Sequence, residues 1–140
     1  KMTNNKTLIG GLAGGVAFFL LGWLIYGILL MDYYAANTNQ CAMRPMTDMI
    51  YWAMGISNLA LGLLLATIFS WSNTSGMMAG AKVAAIIGLF MSISLNFNFY
   101  SMSTMYPSLT PIFVDILVSA VYFALGGGII AWVMGMIKGA

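Results

Sequence analysis

The chain has 140 residues, 61% of them hydrophobic and only 6% charged, with a formal net charge of +2. A soluble domain carries about 25% charged residues, and a body this small has too little interior to hide so much apolar surface. The few charges are dispersed, with no run of lysines or arginines, which excludes a nucleic-acid groove and a polybasic membrane anchor.

The first apolar stretch, Leu8–Met31, contains no charged residue. At about 1.5 Å per residue it reaches about 36 Å, more than the roughly 30 Å hydrocarbon core of a bilayer. A signal-peptide core is shorter, about 7–15 residues, and no small-x-small cleavage site follows. The stretch is therefore expected to be retained as a span. Met2 reads as the natural start, with Lys1 a remnant of a preceding tag.

Three more spans are expected at Met49–Ser70, Met77–Phe97 and Ile112–Ile137. The connection Asp32–Asp48 reads as a polar loop containing Asn37-Thr38-Asn39-Gln40 and Pro45, with Asp48 capping the second helix. Trp71–Gly76 reads as a tight turn. Asn98–Pro111 ends in Thr110-Pro111, where threonine is expected to cap and proline to open the fourth helix.

The expected fold class is all-α: an integral membrane four-helix bundle forming one domain over 1–140, with spans near 8–31, 49–70, 77–97 and 112–137. Lys1, Lys6, Lys82 and Lys138 fall on the side of both termini, and Arg44 alone on the other. Bases close to span ends are retained in the cytoplasm. Both termini are accordingly expected to be cytoplasmic, in a bacterial cytoplasmic (inner) membrane. Tyr33, Tyr34, Tyr51 and Trp52 would flank the outer loop, and Trp71 and Trp132 the inner surface. No charged face supports a helix lying on the membrane. The two hairpins share one orientation, so an inverted-repeat transporter is not indicated.

Glycines mark the expected packing surfaces. Gly10 with Gly14 and Gly11 with Gly15 form overlapping small-xxx-small pairs, and Gly22 continues that surface. Gly126, Gly127 and Gly128 lie within the fourth span, followed by Gly135. Such residues let helix backbones touch, the main source of association where lipid is as apolar as leucine. Packing within one chain and packing between copies both remain open, as does a local kink at the triplet.

Polar residues inside the spans require partners. Asn58 lies near the middle of the second span. Gly88, Ser92 and Asn96 share one face of the third, with Ser94 and Asn98 on an adjacent one. Asp115, Ser119, Tyr122 and Gly126 share a face of the fourth. The Asp115 carboxylate suits a helix N-terminus and is equally a candidate site residue. Asp32 is placed near Tyr26, and Arg44 could pair with any outer acid. Together these predict a small hydrated pocket in the outer half, around Tyr26, Asn58, Asn96 and Asp115.

Little else suggests chemistry. Histidine is absent, and no HExxH, GxSxG, Walker or dinucleotide motif occurs. Cys41, Met43, Met46 and Met49 form a soft-metal candidate set with Met102 and Met105 in the other outer loop. Thioether and thiolate groups suit Cu(I), but methionines also fill membrane interfaces without any metal. No cofactor is expected, and bound lipid is compatible with the bundle.

Gly22-Trp23-Leu24-Ile25-Tyr26-Gly27, followed by a polar outer loop, resembles the small bacterial membrane proteins of domain-of-unknown-function family 1761. Gly22, Trp23 and Tyr26 match that family's glycine, aromatic and tyrosine late in the first span. The Gly80–Asn98 segment, Asp115, Tyr122 and Gly126 fit more loosely. The resemblance implies a four-span fold without an established activity, so no catalytic role is carried over from it. The expected function is non-enzymatic: a self-assembling bundle or an accessory subunit of a larger membrane complex. Its partners would be lipids, further copies or other membrane subunits, and not nucleic acid. The alternative is an oligomeric channel or transporter, with Ser92, Asn96, Asp115 and Ser119 along a shared axis.

Overall fold

The computed structural model describes residues 4–39, 41 and 48–137. They are all-α, and four of the helices are long and apolar enough to cross a membrane. α1 (Asn4–Leu24) runs into a π-helical turn at Ile25–Leu29, followed by the short α2 (Met31–Asn37). α3 (Tyr51–Ser72), α4 (Met77–Met102) and α5 (Thr110–Met136) are the remaining spans. Lys1, Arg44 and Lys138 lie outside the described residues.

Several expected boundaries move. The connection after the first span contains helix α2, and the third span continues past Phe97 to Met102. α3 opens at Tyr51 with Ile50 before it, so Asp48 does not cap it. Thr110 is already helical and makes no capping hydrogen bond; Leu109 occupies the flanking position, and Pro111 lies in the first turn. The α3–α4 turn is set by Asn73 at φ 54° and Gly76 at φ 91°. Asparagine tolerates the left-handed conformation, which lets Thr74 N–H close onto the Phe69 carbonyl at 3.0 Å.

The bundle is not a square of four equal helices. α1 packs against α3 on one side and α5 on the other, while α4 packs chiefly on α5. α5 is thus the central element: 44% of its apolar stretch is buried, against 28% or less in the other three. Gly10 faces Met134 and Gly14 faces Ile130, which places the start of α1 beside the end of α5. The core is built on Phe18, Leu65, Ala66, Phe69, Ile130 and Met134. Trp52 and Trp71, near opposite ends of α3, are strongly exposed.

Glycine decides the helix crossings. Gly62 of α3 lies against the backbone of Gly11, Gly14 and Gly15, so the two helices meet main chain to main chain. Gly126 receives the ring of Phe18, and Gly88 that of Phe123. Gly80 and Gly127 bring α4 and α5 close enough that a methyl on either would meet the other's carbonyl oxygen. Gly10, Gly11, Gly14, Gly15, Gly126 and Gly127 therefore pack within one chain. Gly22 and Gly128 are in looser contact, and Gly135 has open space around it.

Candidate functional site

The polar residues of α4 and α5 converge at the end of the bundle opposite the termini. Asp115 stands in the second turn of α5, facing α4. Asn96 Nδ2 donates to Asp115 Oδ2 at 2.7 Å, and Ser92 Oγ approaches the same oxygen at 3.5 Å. The Tyr34 hydroxyl of α2 donates to Asp115 Oδ1 at 2.6 Å. On the far side of Asn96, the Tyr106 hydroxyl donates to Oδ1 at 2.7 Å. Asn96 Nδ2 also faces the carbonyl and hydroxyl oxygens of Ser92, one helical turn back. Ser92, Asn96 and Ser119 are all buried.

The preceding segment is shaped to reach this cluster. In the π-helical turn, Leu30 N–H bonds to Ile25 O at 2.9 Å, one residue further back than in an α-helix. The helix then breaks and restarts at Met31, and α2 presents Tyr34 to α5. Asn39 N–H closes onto the Met105 carbonyl at 2.6 Å, tying the end of this segment to the α4–α5 connection. Burial first, then the hydrogen bond to Asp115 and its charge, raise the Tyr34 phenol above its ordinary range. Burial, then the Asp115 charge, likewise raises Tyr106. Both remain protonated donors.

A cavity of about 290 Å³ opens beside the cluster between α4 and α5. Its inner wall carries Gly88, Ser92, Asn96, Asp115, Ser119 and Phe123. Met105 and Tyr106 border one end, while Met91, Leu95 and Phe99 line the exposed side.

Not every expected site residue belongs to this cavity. Asn58 and Tyr26 do not line it. Asn58 Nδ2 bonds to its own helix at Met54 O, 2.8 Å away, and its Oδ1 accepts from the Tyr122 hydroxyl at 3.2 Å. The same hydroxyl faces the Phe18 carbonyl at 3.0 Å, alongside Gly22, which leaves room for it. Tyr26 Oη lies 3.5 Å from Ser119 Oγ, and its ring packs against Tyr34 and Tyr122. These residues form a second polar set between α5, α1 and α3. Asp32 is exposed on α2 and does not line the cavity; Tyr34 is the α2 residue that reaches Asp115.

Sequence reasoning missed Tyr106 altogether, since a tyrosine in a polar connection carries no periodic signal. Gly62 was missed as well, although its spacing of seven from Gly55 places both on nearly one helix face. Among the described residues no group of three His, Cys, Asp or Glu side chains could hold a metal ion. Cys41 is exposed and Met49 half-buried, while Met43 and Met46 lie outside the described residues. No family model, curated protein or solved structure matches the chain.

Proposed function

We propose that this chain is a non-enzymatic membrane helix bundle that acts as a self-assembling or accessory subunit of a larger membrane complex. One observation carries this reading. The polar stripe of Ser92, Asn96, Asp115 and Ser119 is turned inward and bonded within the chain. A channel made from several copies needs such a stripe at their common axis, and here its side chains are already bonded to Tyr34, Tyr106 and Tyr26 of the same chain. What remains for association is the apolar exterior, where Val16, Leu20, Phe90, Leu117 and Val121 are all exposed. The resemblance to family 1761 adds a four-span expectation and no residue role.

Both termini are proposed to be cytoplasmic, in a bacterial cytoplasmic membrane, because Lys6 and Lys82 lie toward the end of the bundle that carries the termini. The test is isolation of the chain from native membrane into lipid nanodiscs, with mass determination and identification of co-isolated proteins. The reading expects a defined oligomer or a stoichiometric membrane partner, and no ion flux in proteoliposomes. A solitary chain without partner, or ion flux abolished by Asp115→Asn, would overturn it.

A further inference from the structure

We propose that the cavity between α4 and α5 binds a net-cationic, single-chain amphiphile, with the Asp115 carboxylate as counter-ion to its ammonium head. The site belongs to a single chain and stands apart from the assembly reading. Three features of the geometry point to this ligand class.

The first is charge. A carboxylate offers about four lone-pair positions, and Tyr34, Asn96 and Ser92 occupy three. All three donors are neutral. They satisfy hydrogen bonding without bringing a positive charge, and among the described residues no lysine or arginine lines the cavity. An ionisable side chain at membrane depth calls for such a partner.

The second is the wall. Phe99, Tyr106 and Phe123 surround the space beside the carboxylate, and aromatic faces attract ammonium groups. A zwitterionic phospholipid would bring a phosphate as well, for which the described lining residues offer no base.

The third is access. Met91, Leu95 and Phe99 recur every four residues along α4, so they form one stripe, and all three are exposed along the cavity's edge. A volume of about 290 Å³ accommodates a head group with its first methylenes. The rest of an alkyl chain would lie along this stripe in the lipid.

The test uses the full chain in phosphatidylcholine nanodiscs, titrated calorimetrically with dodecylammonium, and with dodecanol and dodecyl sulfate as controls. Uptake by empty nanodiscs is subtracted. Saturable one-to-one uptake of dodecylammonium alone is expected. Asp115→Asn should weaken it by about tenfold or more. Leu95→Trp, at a half-exposed position away from the hydrogen-bonded cluster, should block it while thermal melting stays unchanged. Equal uptake by wild type and Asp115→Asn, or of dodecanol and dodecylammonium, overturns the proposal. So does undiminished binding by Leu95→Trp, or displacement by phosphatidylethanolamine at matched concentration.

Discussion

The Tyr34 hydroxyl and Asp115 Oδ1 are 2.6 Å apart and 81 positions apart in sequence, so one hydrogen bond fastens α2 to the central helix. Its neighbour Tyr33 buries a hydroxyl with no partner among the described residues. Removing a hydrogen bond to a charged group costs about 1.5–3 kcal/mol, whereas removing an unpartnered buried hydroxyl is neutral or favourable. Tyr34→Phe should therefore lower the melting temperature in detergent, and Tyr33→Phe should leave it unchanged or raise it. The reverse order would show that the Tyr34 bond does not hold α2 in place.

Three glycine substitutions should rank by what the new methyl meets. At Gly62 it meets the backbone of Gly11, Gly14 and Gly15, which cannot rotate away. Gly62→Ala is expected to destabilise at the upper end of the overpacking range, about 3 kcal/mol or more. Gly22→Ala meets only the Tyr122 ring and hydroxyl at ordinary contact distance, and Gly55→Ala meets nothing within 4 Å. Both should be within about 0.5 kcal/mol of wild type. Chemical unfolding in mixed micelles reads the order.

Phe18 and Gly126 should be energetically coupled. Phe18 is fully buried, and its ring fills the space a side chain at position 126 would need. Gly126→Ala alone is expected to be strongly destabilising, and Phe18→Leu alone to leave a void. Combined, they should cost less than their sum, with an interaction of about 0.5–3 kcal/mol. A double-mutant cycle measures it; simple additivity would place the two residues out of contact in the functional fold.

Tyr34 also predicts an alkaline limit. Its phenol is held above the ordinary value of 10.0 by burial first and by Asp115 second. The folded state thus keeps a proton that the unfolded chain releases. The associated stability is fully present below about pH 10 and is lost as pH rises through the higher folded value. In tyrosinate absorbance titrations, Tyr34→Phe should leave the ordinary step unchanged and remove amplitude only at higher pH. Loss of amplitude in the ordinary step would place Tyr34 in solvent.

Cys41 reports the orientation without any substitution. It is the only cysteine and is exposed. It sits in the connection between α2 and α3, toward the end of the bundle opposite Lys82. A membrane-impermeant maleimide added to intact cells should label it. Labelling only after permeabilisation would invert the proposed topology.

Composition and the placement of apolar runs determined the surroundings of this chain and its four long helices. Residues that are 61% apolar and 6% charged leave lipid as the medium, and in lipid each span must satisfy its own backbone hydrogen bonds as a helix. Asp115, Asn96, Ser92 and Ser119 also stood out in the sequence, because polar side chains spaced by three or four turn to one face.

Partner choice was decided only by the tertiary structure. Hydropathy is nearly uniform around each span, so nothing in the sequence marks α5 as central. Nor does it show that Asn58 turns to Tyr122 while Asn96 turns to Asp115. Tyr34 reaches its carboxylate because a π-helical turn and a break at Leu30 redirect the chain, a local departure without a periodic signature. Gly62 matters because of the backbone that crosses it. Which side chains meet in a bundle depends on how the helices are rotated and crossed, and that is fixed by the close fit of all four together.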